Sequence, residues 1–416
     1  MGRLAVISFH TSPLVQPGVG DSGGMNVYVR ELVSALAQAG VRCDVYTRTW
    51  SPELAPEVAV EPGFRVVHVP AGPPAAVPKE RLSALVPEFA DAVVDHVRAT
   101  GDTDAVHANY WLSGLAGHVL KHELGLPLVS TFHTLARVKA AGGDEPTRRG
   151  RAETRVIACS DAILANCAEE AAALRRHYDA PPGRIEIVEP GVDHAFFSPG
   201  DSGGARAALG WSEPGRISAI GGRRAAQHPV LLFVGRIQPL KGLDVAVATL
   251  AALGHPAAEL VAVGGPSGRD GESELVRVRA MVHELGLAGR VRFVAPQPHH
   301  LLSTWYRAAD VVLVPSRSES FGLVALEAAA CGTPVVAAAV GGLRTIVRHG
   351  HTGFLVEGRR PEAYAAYVAE LVSNPRLARQ MGASAADRAR RYTWSTAAAR
   401  LRRLYGDLTA RALVEC

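Results

Sequence analysis

Short apolar runs alternate with helical segments along most of the chain, and this alternation constrains the fold more than any other feature. Leu4 to Ser8 is typical of a buried strand, and apolar residues at helical spacing then continue to Gly40. Further strands are predicted at residues 41–47, 65–69, 104–107, 128–131, 162–166 and 184–188. Strands that alternate with helices in this way predict an α/β protein with a parallel sheet covered on both faces.

A second series of the same kind follows. It predicts strands at residues 230–234, 260–263, 291–294, 310–314, 334–337 and 353–356. Residues 198–229, between the two series, are rich in Ser, Pro, Gly and clustered Arg, which is typical of a linker with an insertion. We therefore predict an N-terminal Rossmann-like domain over residues 1–197, a C-terminal one over 230–393, and a final helix in 394–416 that packs across both. Ligands of open parallel sheets bind at the carboxyl ends of strands, so a cleft between the sheets is expected.

Composition narrows the class of protein. The 416 residues suit two or three domains. The net charge of +4 is spread along the chain without a long basic run, which argues against nucleic-acid binding. The 44 basic residues include only four lysines, which leaves forty arginines. Each lysine therefore invites a functional explanation, except Lys121, for which we expect an ordinary surface position.

The cysteines and the apolar stretches predict a cytoplasmic protein. The five cysteines are scattered without paired spacing, so we expect reduced thiols, no disulfide and no structural zinc. The first ten residues lack the apolar core of a signal peptide, and the longest apolar stretch is too short and too interrupted to span a membrane.

Two loops at predicted strand ends suit a phosphorylated ligand. The loop HTSPLVQPGVGDSGGMNVYV brings glycines and a helix N-terminus to the end of the first strand, where backbone N–H groups can approach phosphate or sugar oxygens. The segment FVGRIQPLKGLD places Arg236 and Lys241 in a turn before a helix. Two cations beside a helix N-terminus suit a pyrophosphate, which an arginine can bind bidentately and a lysine as a point charge.

Two carboxylates mark a third loop, PSRSESFGLVALEAAACGTPVVAA. Glu319 precedes a helix predicted to start near Phe321, and Glu327 lies inside that helix. Eight residues of helix separate them by about 12 Å along the axis, whereas an acid/base pair acting on one bond is spaced under about 10 Å. The spacing favours two hydroxyl-bearing parts of one extended ligand. The apolar neighbours of Glu327 predict burial or a partner.

Several polar residues of the first half would form an anion pocket if they converge, which the sequence alone does not establish. They combine cationic and hydroxyl groups: Lys79, Tyr110, Thr134, Lys139 and Arg149. His107 and His133 lie at strand ends, where a core role and a catalytic role are equally open. Cys331 is expected to be a small buried residue.

Taken in order, these segments resemble retaining glycosyltransferases of family 4, which have the GT-B fold. The opening loop together with YWLSG, FHTLARVK and VGRIQPLKG resembles the branch of that family that serves mycothiol biosynthesis. The resemblance extends from about Leu4 to Trp394. It implies transfer of N-acetylglucosamine from UDP-N-acetylglucosamine to 1D-myo-inositol 3-phosphate, with retention, by a homodimer that needs no cofactor for the chemistry.

The resemblance also implies roles for individual residues. Arg236 and Lys241 would bind the donor diphosphate, Glu327 its ribose and Glu319 the hydroxyls of the transferred sugar. Further donor contacts would come from Gln16, Pro17, Gly24 and Gln297. The acceptor would meet His10, Asp21, Asn26, Lys79, Tyr110, Thr134 and Arg149. His133 would lie near the reacting centre, so the implied catalytic set is His133, Arg236, Lys241 and Glu319. A structural Mg²⁺ is implied at Tyr306, Arg307, Ala309 and Thr333.

Three departures from the family pattern affect specificity. Asn109 occupies a place where the family commonly has a second His, and Gln297 stands where Arg is usual near the nucleotide base. The segment from Lys139 to Arg149 is several residues shorter than usual. These differences leave another nucleotide sugar, or another polyol, aminocyclitol or natural-product acceptor, as alternatives.

Other classes of function remain open. A nicotinamide-dependent oxidoreductase would share α/β halves, but it should carry GxGxxG after a strand, which this sequence lacks. A phosphorylase with pyridoxal phosphate on Lys241 and a catalytically inactive binding homologue are further alternatives.

Overall fold

The computed structural model describes residues 2–18, 20, 22–139, 147–211, 228–268 and 270–416. The chain forms two compact units. Unit 1 comprises Met1–Val15, Gly24–Gly191 and Trp394–Cys416, and unit 2 comprises Gln16–Gly23 and Val192–Thr393. Among the helices in these ranges, none is long and apolar enough to cross a membrane.

Strands and helices alternate through both units. The strands are β1 Arg3–Ile7, β2 Arg42–Arg48, β3 Glu57–Glu61, β4 Phe64–Val69, β5 Thr103–Asn109, β6 Leu128–Thr131, β7 Ala162–Ala165, β8 Ile185–Ile187, β9 Val230–Val234, β10 Glu259–Val263, β11 Val291–Val294, β12 Val311–Val314, β13 Val335–Ala338 and β14 Gly353–Val356. The helices are α1 Gly24–Gln38, α2 Val86–Thr100, α3 Trp111–Leu124, α4 Ala136–Lys139, α5 Thr147–Cys159, α6 Ala168–Tyr178, α7 Ser202–Ala208, α8 Leu243–Leu253, α9 Gly271–Glu284, α10 Leu302–Ala308, α11 Leu323–Ala330, α12 Leu343–Ile346, α13 Pro361–Ser373, α14 Pro375–Ala389 and α15 Trp394–Thr409.

The sheet of unit 1 has the order β3-β4-β2-β1-β5-β6-β7-β8 and is parallel except for β3, which runs antiparallel to β4. Its central strands β1, β5 and β6 are almost fully buried, as their runs of Val, Ile, Leu and Ala predict. Helix α15 packs on α1, where the rings of Tyr28 and Trp394 are 5.7 Å apart. Because β1, β5 and β6 are parallel neighbours, their carboxyl ends lie together at one edge of the sheet of unit 1.

The sheet of unit 2 has the order β11-β10-β9-β12-β13-β14, and its strands are parallel. Strands β9 and β12 are neighbours, and both are buried apolar runs. The loops that follow them contain Arg236 and Glu319. The predicted α/β fold class with two parallel-sheet domains is confirmed. Half of the predicted linker, residues 212–227, lies outside the described residues, while α7 belongs to unit 2.

The prediction of a surface position for Lys121 is wrong. Only 3% of Lys121 is exposed. Its ammonium group donates to both carboxylate oxygens of Asp161, at 2.9 and 2.8 Å, and to the carbonyl of Cys159 at 2.8 Å. A buried lysine is tolerated because a carboxylate and a carbonyl satisfy its charge and its donors.

The prediction of no disulfide is also wrong. The sulfurs of Cys159 and Cys416 form a disulfide across 257 residues of sequence. Cys43, Cys167 and Cys331 lie outside this disulfide and are buried, which confirms the buried position expected for Cys331.

Candidate active site

In unit 1, the ring of Tyr110 lies at the centre of the predicted anion pocket. Tyr110 follows β5, and the ammonium nitrogen of Lys79 lies 4.7 Å from the centre of its ring. The guanidinium carbon of Arg149 lies 5.0 Å from the same centre, and the ring of His10 lies 4.6 Å away. Two cations against one aromatic ring form a positively charged surface suited to an anion.

Arg149 also holds the neighbouring loop in place. Its guanidinium donates to the carbonyl and the hydroxyl of Thr134, at 2.7 and 3.0 Å, and to Glu153 at 2.8 Å. Glu153 is fully buried, and it accepts further bonds from the backbone N–H of Ala136 and the hydroxyl of Tyr178. The structure thus brings Lys79, Tyr110, Thr134 and Arg149 together, and it adds Glu153, which the sequence analysis missed.

Of the remaining residues predicted for the acceptor or the anion pocket, Asn26 has contacts that the structure describes. Asn26, in the first turn of α1, is buried and donates to the hydroxyl of Thr11 at 2.7 Å and to the carbonyl of Ser12 at 2.6 Å. It therefore orders the loop after β1. Asp21 and the side chain of Lys139 lie outside the described residues.

His133 follows β6 in a backbone conformation that is uncommon for a residue with a side chain. Its φ is 59°, and that of Tyr110 after the neighbouring strand is 79°. Such strained positions persist where surrounding contacts hold them, often at functional sites. The Nε2–H of His133 donates to Oδ1 of Asn109 at 2.9 Å. Burial, with a smaller contribution from His107, lowers the pKa of His133 to about 3, so the ring is neutral near pH 7.

His107 has a core role. It is 1% exposed, and its ring nitrogens hydrogen-bond to the hydroxyls of Thr131 and Tyr405, each at 2.8 Å. Burial lowers its pKa to about 3, which keeps the ring uncharged. His107 therefore joins β5 to β6 and α15.

In unit 2, the two predicted diphosphate cations follow β9. Arg236 lies beside Ser267, with 3.4 Å between its Nη1 and the serine hydroxyl. That hydroxyl donates to the carbonyl of Gly20 at 2.5 Å, in the part of the first loop that belongs to unit 2. A side chain at Gly23 would meet the guanidinium of Arg236 within 2.8 Å. The glycine of this loop thus leaves room for the arginine.

Lys241 and Glu319 form an ion pair 2.6 Å long, although they lie 78 residues apart. Their side chains are 23% and 17% exposed, and Ser316 also approaches Glu319 at 3.3 Å. Gly341 has a positive φ of 45°, and a Cβ there would lie 1.9 Å from the carbonyl of Glu319. A glycine is therefore required beside this loop.

Glu327 is buried and has two partners, as its apolar surroundings predict. The hydroxyl of Tyr306 donates to one carboxylate oxygen at 2.7 Å, and Nε2 of His299 lies 2.8 Å from the other. Glu327 is 5% exposed. His299 was not predicted as a partner, although the His-His pair at 299 and 300 follows β11 as the other site residues follow their strands.

The other predicted donor residues occupy the loops around these groups. The amide of Gln16 donates to the carbonyl of Pro296 at 2.9 Å, and that of Gln297 to the carbonyl of Ala295 at 3.0 Å. Pro17 lies in the same loop segment as Gln16 within unit 2, whereas Gly24 begins α1 in unit 1.

The residues predicted to hold Mg²⁺ are joined by hydrogen bonds. The hydroxyl of Thr333 donates to the carbonyl of Tyr306 at 2.7 Å, and the N–H of Ala309 donates to the same carbonyl at 3.2 Å. Arg307 donates to the carbonyl of Ser198 at 2.7 Å. The first of these bonds would have to open for both oxygens to face a cation. A magnesium ion at this loop therefore stays a prediction.

Both halves of the chain match families of glycosyltransferases. Residues 22–196 match the family described as "Glycosyltransferase Family 4", and residues 222–388 match "Glycosyl transferases group 1". A D-inositol 3-phosphate glycosyltransferase of Thermobispora bispora is 43% identical over 99% of this chain and 96% of its own length. D-inositol 3-phosphate glycosyltransferase 2 of Catenulispora acidiphila is 44% identical over 95% of this chain and 93% of its own length.

Solved structures agree with these matches. Sucrose-phosphate synthase from Thermosynechococcus elongatus has a TM-score of 0.90 at 33% identity and covers 99% of this chain and 100% of its own. HepE of Anabaena, solved in complex with UDP-glucose, has a TM-score of 0.76 at 18% identity, with 97% and 99% coverage. At 18% identity, the likeness to HepE shows a shared fold and nothing further.

Proposed function

This chain belongs to glycosyltransferase family 4, and we propose that it transfers N-acetylglucosamine from UDP-N-acetylglucosamine to 1D-myo-inositol 3-phosphate with retention. The observation that carries the proposal is the Tyr110 cluster, where Lys79 and Arg149 lie 4.7 and 5.0 Å from one ring. An acceptor that carries a phosphate gives such a cluster a ligand, whereas an uncharged polyol does not. The 43–44% identity to D-inositol 3-phosphate glycosyltransferases supports the same acceptor.

Unit 2 supplies the groups for a nucleotide diphosphate. Lys241 gives one of its three N–H donors to Glu319, which leaves two for phosphate oxygens. A diphosphate that attracts Lys241 also leaves Glu319 available to accept a hydrogen bond from a sugar hydroxyl. Glu327, held by Tyr306 and His299, is oriented to accept bonds from ribose hydroxyls.

Transfer on the front face of the sugar needs no protein nucleophile. The bond from the anomeric carbon to the diphosphate oxygen breaks, and the acceptor oxygen bonds to that carbon on the same face. The acceptor proton passes to the departing diphosphate oxygen. Arg236 and Lys241 stabilise the charge that develops on this oxygen. His133 is neutral near pH 7 and hydrogen-bonded to Asn109, so it contributes hydrogen bonding rather than charge at the reacting centre.

Product analysis tests the proposal. The full chain is incubated with UDP-N-acetylglucosamine and either inositol 3-phosphate, unphosphorylated inositol or a hexose phosphate, and the products are identified by mass spectrometry. We expect glycosylated inositol phosphate as the main product, with the α-anomeric configuration of the donor retained by NMR. Equal use of unphosphorylated inositol would contradict the proposed acceptor.

A second candidate is transfer to a phosphorylated hexose. It is favoured by the 33% identity to a sucrose-phosphate synthase over 99% of this chain. The same Tyr110 cluster would bind its phosphate, so the acceptor panel separates the two candidates. A hexose phosphate used in preference to inositol phosphate would establish the second.

A further inference from the structure

Four side chains of unit 1 form a cluster apart from the candidate substrate residues. His118 and His122 are four residues apart on α3, so they lie one turn apart on the same face. Cys159 is the last residue of α5, and Cys416 follows α15. One potential ligand atom from each of the four lies within 4.8 Å of the others.

The contacts within this cluster are close. The sulfurs of Cys159 and Cys416 lie 3.5 and 3.3 Å from Nε2 of His122, and the two imidazole rings are 4.7 Å apart. Arg155 donates to Nε2 of His118 at 2.8 Å. Nδ1 of His118 is buried and has no hydrogen-bond partner among the residues described. Because Nε2 accepts this bond, the neutral ring carries its proton on Nδ1. A metal bound at Nδ1 therefore requires that proton to move to Nε2 and the Arg155 bond to open. The buried Nδ1 would then have a ligand in place of an unsatisfied N–H.

We propose that His118, His122, Cys159 and Cys416 bind one Zn²⁺ tetrahedrally when both sulfurs are thiols. Zinc binds sulfur at about 2.3 Å and imidazole nitrogen at about 2.0–2.1 Å. Ligand atoms around one ion are then roughly 3.3–3.8 Å apart. In this structure the four ligand atoms lie within 4.8 Å of one another, so the longest of these distances would have to shorten by about 1 Å. Binding releases the two thiol protons to solvent, because thiolates are the ligands.

The disulfide in this structure is the competing state of the same two sulfurs. It forms from the two thiols by exchange with a small disulfide, which takes up two electrons and two protons and leaves as two thiols. The zinc state forms where thiols stay reduced. The two states exclude each other, since each uses both sulfurs.

The proposed zinc site joins the segment after α15 to α3 and α5. Val414 already donates from its backbone to Asp161 at 2.7 Å, and Asp161 is held by buried Lys121 at 2.8 Å. Cys416 lies two residues beyond this first anchor. A metal bound there adds a second anchor, so metal binding stabilises the docked tail.

Metal titration of the reduced full chain tests the proposal. The protein is reduced with a phosphine, and Co²⁺ is added as a spectroscopic substitute for zinc. We expect about one cobalt per chain, with thiolate-to-cobalt charge transfer and the strong visible bands of a tetrahedral site, both lost on addition of Zn²⁺. Reduced protein that shows neither band would overturn the proposal.

Variants identify the ligands. Cys416→Ser changes an exposed position, and His122→Ala removes a second exposed ligand. Each should weaken zinc binding by at least about tenfold. His351→Ala, an exposed histidine of unit 2, is the matched control and should bind zinc as the unaltered chain does. Equal affinity in all four proteins would assign the metal to other groups and contradict the proposal.

Proteolysis gives a readout independent of spectroscopy. Trypsin cleavage after exposed Arg411 releases Ala412–Cys416. Zinc should slow this release in the reduced chain and leave it unchanged in Cys416→Ser. Glycosyl transfer by Cys416→Ser should equal that of the unaltered chain, so failure of the zinc site and failure of the proposed transferase reaction are distinguishable. A release rate that zinc does not affect would contradict the role in fastening the tail.

Discussion

An arginine–glutamate pair in unit 1 and a lysine–glutamate pair in unit 2 join candidate site residues, and the two pairs differ in burial. The side chains of Arg149 and Glu153 in unit 1 are 6% and 0% exposed. Those of Lys241 and Glu319 in unit 2 are 23% and 17% exposed. A buried charge that loses its partner stays desolvated, whereas a partly exposed charge is rehydrated. The pair in unit 1 is therefore part of the framework of its site, and the pair in unit 2 can exchange partners.

The other contacts of the two carboxylates agree with this difference. Glu153 also accepts from the N–H of Ala136 and the hydroxyl of Tyr178, so it connects α4, α5 and α6. Glu319 has Ser316 as a further neighbour, three residues away in its own loop. Arg149 holds its helix and the Thr134 loop while its guanidinium lies against the Tyr110 ring, so it keeps these partners when a ligand binds. Lys241, by contrast, can share its donors with a ligand.

The largest expected effect tests the framework role. Arg149→Ala should lower the free energy of unfolding of unit 1 by about 3–5 kcal/mol, because Glu153 is left buried without its cation. Chemical denaturation measures this loss of free energy, and hydrogen exchange of the backbone amides of α5 shows where it occurs. The double variant Arg149→Met, Glu153→Gln should recover part of it, since the uncompensated charge is removed. Equal stability of Arg149→Ala and the unaltered chain would show that the Arg149–Glu153 pair does not support the framework of unit 1.

The second prediction concerns Lys241. Lys241→Ala should reduce kcat by about 10²- to 10³-fold, because a cation that stabilises the departing diphosphate is removed. Its free energy of unfolding should change by less than about 1 kcal/mol, as is typical of a partly exposed pair. Steady-state kinetics and denaturation on the same preparation measure both. Turnover within twofold of the unaltered chain in a folded variant would contradict the assignment.

The sheets were predictable from the sequence because burial on both faces requires continuous apolar runs, such as VLLFV in β9 and VVLV in β12. Strand β3 was missed for the corresponding reason. Its sequence EVAVE lies at the sheet edge, half exposed, with a charge at each end. Short edge strands need little apolar content, so their signal is weak.

The site was only partly predictable. The strand-end positions of Arg236, Lys241 and Glu319 followed from local motifs, but the ion pair joins residues 78 apart. Sequence gives the i, i+4 spacing of Arg149 and Glu153 but not the burial that makes the pair structural. The disulfide joins positions separated by 257 residues without a spacing signal. Burial and long-range pairing depend on tertiary packing, which a local pattern does not encode.

The third prediction concerns Lys79, which we expect to bind the acceptor, whereas Arg149 in the same Tyr110 cluster also supports the framework. Lys79→Ala should raise the KM for inositol phosphate by about 10- to 100-fold, the range of a lost charge-assisted hydrogen bond, and leave the donor KM unchanged. Initial rates at varied acceptor concentration measure the effect. Lys79→Arg retains the charge and is the matched control. An equal rise in both KM values would show that Lys79 does not recognise the acceptor specifically.

The smallest expected effect lies at Gln297, where the family pattern has Arg. The amide of Gln297 donates to the carbonyl of Ala295 at 3.0 Å in a partly exposed loop of unit 2. Gln297→Arg adds a cation there, and its attraction to the donor's charge is screened by solvent. We therefore expect the donor KM to fall by no more than about fivefold, with kcat unchanged. Gln297→Ala controls for loss of the amide, and it should leave the donor KM within about twofold because an exposed hydrogen bond contributes little. A fall much larger than fivefold in Gln297→Arg would mean that this loop is desolvated around the donor. Within the site of unit 2, the partial exposure that lets charged groups exchange partners would then be limited to Lys241 and Glu319.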